Sequence, residues 1–248
     1  MYKRQVLRKG WWEKSPPAEA TAKTTFPQIV NTVPEVGATD VDSELTEISV
    51  TFDRDMDAGM SWTGGPPQFP TTDEAKKARW INKRTCVLPV KLAEESFYRV
   101  GINSTSYRNF RSAEGVPAPC EVICFSTKGA TPEVKAQCAK PEIVSIEPQN
   151  GSVDVDPKLD VLKITFNVPM GKGMSWTGGG ANFPRSADGR KASWSQDGLT
   201  CTLPVSLEPG REYELGLNSV SHINFQTKWG VPLAPVLYKF RTRTPESE

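Results

Sequence analysis

LTEISVTFDRDM (residues 45–56) and LDVLKITFNVPM (residues 159–170) set the reading of the whole chain. In each, apolar side chains fall at every second place: Ile48, Val50 and Phe52 in one, Leu162, Ile164 and Phe166 in the other. A period of two marks a strand with one buried face. The two stretches align with each other, and the likeness runs outward on both sides. MSWTGG stands at 60–65 and again at 174–179, and TCVLPVKL (85–92) answers TCTLPVSL (200–207). GINSTSYRNF (101–110) likewise answers GLNSVSHINF (216–225). Two copies this alike share one fold, so the chain carries its own internal control.

The boundaries follow from the repeat. We expect an N-terminal arm or linker over residues 1–27, a first domain over 28–128, a linker over 129–140 and a second domain over 141–244. Each copy has the size of an ordinary domain and suffices for its own core. Further alternation occurs at Tyr98, Val100 and Ile102 and at Tyr213, Leu215 and Leu217, and a final strand carries EVICFST (121–127) and VLYKFRT (236–242). No window sustains a helical period with caps. Short strands separated by turns, in a chain with 21 prolines and 19 glycines, predict an all-β protein built as an antiparallel β-sandwich in each copy.

The pattern then becomes specific. Each copy has an apolar run ending at proline, a Gly turn, an Asp-Val-Asp segment, and a strand whose Phe is followed by Met four residues on. Pro34, Gly37, Val41, Phe52 and Met56 carry it in the first copy, and Pro148, Gly151, Val155, Phe166 and Met170 in the second. Gly115-Val116-Pro117 with Phe125 and Thr127, and Gly230-Val231-Pro232 with Phe240 and Thr242, close the copies alike. This resembles the bacterial Ig-like domains of the S-layer surface-protein (SbsA-like) type. The long insertion from MSWTGG to the following Phe-Pro departs from that family's minimal pattern. The resemblance implies two tandem immunoglobulin-like antiparallel β-sandwich domains, non-catalytic, in a secreted or surface-attached protein or appended to an exoenzyme.

Bulk properties narrow the partners. The formal net charge is +1, and charges of both signs are interspersed, so no field favours nucleic acid or an anionic membrane. Apolar runs are too short for membrane insertion. MYKRQVLRKGWWEKS lacks the apolar segment and cleavage site of a signal peptide, which implies either a cytoplasmic protein or, the reading we prefer, a piece of a longer chain. Five cysteines do not fix a compartment. Cys86 and Cys201 are equivalent and read as buried small hydrophobes. Cys120 and Cys124, roughly 13 Å apart on one strand face, cannot bridge directly, while Cys138 pairs equally well on paper with either.

Chemistry-bearing constellations are sparse. His222 is the only histidine, aligns with Tyr107, and follows Ser221, which as a strand neighbour would point the other way. No catalytic residue or cofactor is expected. Asp53, Asp55 and Asp57 alternate like a calcium loop, but Ala58 and Gly64 stand where that loop needs Gly and Glu. Asp40 and Asp42, with Asp154 and Asp156, recur in both copies as turn residues or, alternatively, as an interdomain calcium site, and are the weak metal candidates. The ligand-binding candidates are aromatic: Trp62, Phe69, Trp176, Phe183, and Trp229, which only the second copy has and which reads as exposed on a loop. Flat rings flanked by Gly and Pro suit a sugar face, with Thr63, Asn103, Asn109, Thr177, Asn218 and Asn224 to bond hydroxyls. The competing reading is core packing. The repeated N-S-x-S-x-x-N-F motif reads as side-chain bonds tying down a long connection. The function expected is a structural spacer or adhesion unit, with cell-wall glycan or another surface protein as partner.

Overall fold

The computed structural model describes residues 26–72, 76–187 and 189–244. The expected arm lies outside these residues apart from Phe26 and Pro27. The described chain divides into two compact units, one made of residues up to Lys140 together with Trp229–Val231, the other of Pro141–Lys228 with the residues from Pro232 onward.

The first unit contains strands β1 (Ile29–Val33), β2 (Ala38–Val41), β3 (Glu47–Phe52), β4 (Trp62–Thr63), β5 (Thr71–Thr72), β6 (Arg79–Trp80), β7 (Thr85–Lys91), β8 (Phe97–Ile102) and β9 (Glu121–Thr127). One sheet has the order β1-β3-β7-β5, with β6 also on β7, and the other runs β2-β9-β8-β4. The alternation in β3 has the expected result: Ile48, Val50 and Phe52 are 0%, 0% and 1% exposed, while Glu47, Ser49 and Thr51 are half-buried. They meet Tyr98, Val100 and Ile102 of β8 and Ile123 and Phe125 of β9 in one core. Pairing is antiparallel except between β2 and β9, which run parallel. That exception rests on Gly37, whose φ of +90° starts β2 and whose N–H donates to the Cys124 carbonyl at 2.7 Å.

The second unit repeats the scheme with β10 (Ile143–Glu147), β11 (Val161–Phe166), β12 (Trp176–Thr177), β13 (Arg185–Ser186), β14 (Ser193–Trp194), β15 (Thr200–Ser206), β16 (Glu212–Leu217) and β17 (Val236–Arg241). Its sheets are β10-β11-β15-β13, with β14 on β15, and β12-β16-β17. The counterpart of β2 shrinks to a parallel bridge between Val155 and Thr242. Both units are Ig-like β-sandwiches, and the fold is all-β as the alternation predicts.

The edge strands β1 and β10 carry the same irregularity. The register of β1 slips between Ile29 and Asn31, and that of β10 between Ile143 and Ser145. Val30 and Val144, the residues at the slip, stand 61% and 66% exposed. A bulge at this place blunts an edge against further strand pairing.

The linker holds a helical element that escaped the sequence reading. A single-turn helix, α1 (Pro132–Lys135), continues into a 3-10 turn over Ala136–Cys138. Its signals are local: Thr131 Oγ1 accepts from the Val134 N–H, Pro132 opens the first turn beside Glu133, and Lys135 closes it. Four residues are too few to show a helical period, so only the cap and the proline announce it.

Candidate functional site

The blocks most alike between the copies are the natural place to look for a site, and in space they form one. β4 carries Trp62 and Thr63 of MSWTGG and pairs with Ile102 and Gly101 of β8. The chain then turns at Asn103, which holds φ +57° although it is not glycine. Its side-chain amide donates to the Phe110 carbonyl at 3.1 Å and the Ala118 carbonyl at 2.9 Å, and accepts from the Phe110 N–H at 3.0 Å. Thr63 Oγ1 donates to the Asn103 carbonyl at 2.9 Å, and Ser61 Oγ accepts from the Asn109 N–H at 3.0 Å. The second copy repeats this in full. Asn218, at φ +60°, bonds Phe225 O and Leu233 O at 2.8 Å and accepts from Phe225 N at 2.9 Å. Thr177 and Ser175 match Thr63 and Ser61 at 3.0 and 3.1 Å.

The polar pair leaves no room for a side chain beneath it. A Cβ on Gly101 or Gly216 would lie 2.3 Å from Thr63 Oγ1 or Thr177 Oγ1. MSWTGG and N-S-x-S-x-x-N-F are therefore two halves of one lock. Asn103 and Asn218, proposed from sequence as partners for sugar hydroxyls, are 3% and 2% exposed, and the hydroxyls of Thr63 and Thr177 point inward. Asn109 and Asn224 do stay on the surface.

Around the lock stands a box of aromatic rings. Trp62 meets Phe110 edge-on at 5.4 Å and 87°, Trp80 meets it at 5.8 Å and 77°, and Phe52 tilts against it at 5.6 Å. In the second copy Trp176, Trp194 and Phe166 stand about Phe225 at 5.3, 5.9 and 5.9 Å. Trp62 and Trp176 are half-buried, with part of each indole at the surface. Their Nε1 atoms are buried and lack a hydrogen bond of normal geometry. Each N–H faces a thiol instead, Cys86 for Trp62 and Cys201 for Trp176. Burial pushes these thiols up to about 11 and about 12, with the indole N–H acting in the opposite direction.

A stability consequence follows, and its sign is definite. Above pH 9 the unfolded chain releases thiol protons that the folded chain keeps, so stability complete below that pH falls as the medium approaches pH 11 to 12. Thermal melts at pH 8, 9.5 and 10.5 should show this decline. Cys86→Ala and Cys201→Ala should each flatten it, and a slope unchanged in both variants would remove these two thiols as its cause, since burial also raises Cys120, Cys124 and Cys138.

The other sequence candidates are dispersed. Phe69 folds back over Gly64, where a Cβ would touch its ring at 2.6 Å, and Phe183 covers Gly178 in the same way at 3.2 Å. Both rings are half-buried. The loop between Gly64 and Gln68 is exposed. Trp229, expected on the surface, is half-buried. Asp40 and Asp42 bind Lys135 and Lys128 at 2.7 Å each, and these cations hold both carboxyls below their usual range. Asp156 binds Arg243 at 2.6 Å, while Asp154 is exposed. Among the described residues no group of three or more metal-type ligands occurs.

Ser221 does reach His222, with Oγ 3.0 Å from Nδ1, because the segment is a turn rather than the strand expected. Both residues lie outside the core, and no carboxylate completes the pair in the bonds described. Cys86, Cys120, Cys124, Cys138 and Cys201 are free and buried. Among the described residues no helix is long and apolar enough to cross a membrane.

No family model matches the chain, and no curated protein matches it. Solved structures similar to it include the S-layer protein SbsC, at 19% identity and a TM-score of 0.29, over 46% of this chain and 15% of that one. Domains 5–6 of SbsC are similar at 10% identity and a TM-score of 0.25, over 87% of this chain and 99% of that one. A titin Ig tandem is similar at 12% identity and a TM-score of 0.26, over 88% and 97% of the two chains. The chain thus spans a small part of the longer S-layer protein.

Proposed function

We propose that this chain is a non-catalytic tandem of Ig-like domains of the S-layer type, over 28–128 and 141–244 with a linker at 129–140, from a cell-surface or secreted bacterial protein. Its work is to space or present other parts of that protein, with adhesion to a surface protein or cell-wall glycan as an additional role. One observation carries the reading. The side chains that the two copies keep in common, from Ser61, Trp62 and Thr63 to Asn103 and Phe110, are spent on holding each unit together. A module selected for rigidity repeats its internal bonds and lets its surface vary, and Tyr107 against His222 or Glu114 against Trp229 vary in this way.

A second reading has its own support. Trp62 and Trp176 keep part of each indole at the surface beside the Gly-rich loops, with Phe69 and Phe183 near at hand. That placement suits a carbohydrate-binding appendage. Depletion of the intact protein by insoluble polysaccharides and cell-wall material, read with tryptophan emission, separates the two. The spacer reading expects no saturable binding and emission unchanged by the sugars. Saturable binding that shifts the emission and is lost in folded Trp62→Phe or Trp176→Phe would replace it with the glycan-targeting one.

A further inference from the structure

The outward face of β9 holds a feature that the second copy lacks. Ile123 and Phe125 of that strand enter the core, so Val122 and Cys124 point the other way. They are nonetheless 5% and 0% exposed. Part of what covers them comes from the linker: Cys138, 3% exposed, shares an apolar cluster with Val122, Cys124 and Phe97, and Val134 packs against it. Between Thr131 and Lys140, Cys138 is the only buried residue. The Cys124 Sγ donates to the backbone carbonyl of Cys138 itself at 3.6 Å. In the second copy the position of Cys124 is taken by Lys239, which is exposed and pairs with Glu214 at 2.7 Å. A cysteine therefore replaces a solvent-facing lysine at the place where the linker, and with it a second cysteine, lies down on the strand.

From this placement we infer that Cys124 and Cys138 form an oxidisable dithiol, whose disulfide pins the linker to β9. The inference does not depend on the spacer reading. The co-reactant is a small-molecule disulfide. One protein thiolate attacks a sulfur of that disulfide and expels the first small thiol, leaving a mixed disulfide. The second protein thiolate then attacks the protein sulfur of the mixed disulfide and expels the second small thiol. Two protein thiols are oxidised to one disulfide, one small disulfide is reduced to two thiols, and the protons leave on those thiols. Both cysteines are shielded, so the exchange proceeds when the single-turn helix lifts, and it is slow in the folded protein. Cys120 has no part in it, and Cys86 and Cys201 remain thiols in the cores.

The test uses the intact chain, reduced and then incubated with oxidised glutathione at pH 8. The expected product has three titratable thiols in place of five, a mass about 2 Da lower from the loss of two hydrogens, and a peptide map joining Cys124 to Cys138. The melting transition of the first unit should stand roughly 10 °C above that of the reduced protein, the effect of closing a short loop in the unfolded chain. Cys138→Ser should instead collect a single glutathione on Cys124. Five thiols persisting in low concentrations of denaturant, glutathione on both cysteines without a bridge, or a bridge to Cys120 would each overturn the inference. Should Cys138→Ser fail to fold, the peptide map of the unmodified chain decides alone.

Discussion

Replacing Asn103 with alanine is expected to destabilise the first unit by about 4 kcal/mol, and Asn218→Ala to do the same to the second. The amide of Asn103 is the sole side chain bonding Phe110 O, Ala118 O and Phe110 N in a site 3% exposed. Alanine leaves the Phe110 N–H and the Ala118 carbonyl without that partner, at about 1–3 kcal/mol for each that water cannot reach, while Phe110 O keeps the Ala118 N–H at 2.8 Å. It must also hold a left-handed backbone, φ +57°, which asparagine tolerates and alanine does not, for about another 1 kcal/mol. Asn103→Gly removes that strain but not the orphaned groups, so the difference between the two variants isolates the backbone term. Amide hydrogen exchange is the proper measurement, because a chain of two units has no single unfolding free energy. Protection at Phe110 should collapse in Asn103→Ala while Phe225 keeps its own. A loss below 1 kcal/mol at Phe110 would mean that water satisfies the loop and that the lock is no lock.

The two asparagines of this motif show where the sequence stops being legible. Asn103 and Asn109 are the same residue type, both sit in N-S-x-S-x-x-N-F, and both recur in the second copy. One is buried with every polar atom bonded, and the other is exposed. Nothing local separates them. The difference lies in which carbonyls the opposite segment brings within reach, and Ala118 arrives from 15 residues away. Strand faces suffer no such ambiguity: Ile48, Val50 and Phe52 alternate with polar residues, and a one-residue slip would turn all of them into water. The buried faces of β3 and β11 were therefore readable from their own residues.

The aromatic residues fall between these extremes. Their recurrence shows that Trp62 and Trp80 matter, but a ring packed edge-on against Phe110 and a ring offered to a sugar have the same sequence signature. The parallel β2–β9 pair and the single-turn helix were unreadable for another reason. Each is too short to have a period, and only a glycine at 37 and a capped proline at 132 mark them.

Phe110→Ala should cost the first unit about 3–5 kcal/mol, the range for emptying a buried aromatic site. The ring is 0% exposed and touches Phe52, Trp62 and Trp80 at 5.4–5.8 Å, two of the contacts edge-on. Phe110→Leu keeps most of the volume and loses the edge-to-face geometry, so its smaller cost measures what the arrangement adds beyond burial, about 0.5–1.5 kcal/mol per ring pair. The effect on Trp62 is the more informative result. Phe110 is the wall that holds this indole with its N–H turned inward toward Cys86. In Phe110→Leu the indole gains freedom, and its emission should move to the red and its quenching by iodide should rise, while Trp176, against an intact Phe225, keeps the partial exposure it has. Should the emission and quenching of Phe110→Leu match those of the unmodified chain, Trp62 is held by something other than the box. The common aromatic residues would then need a reason beyond packing, and the glycan-facing reading of Trp62 would become the stronger one.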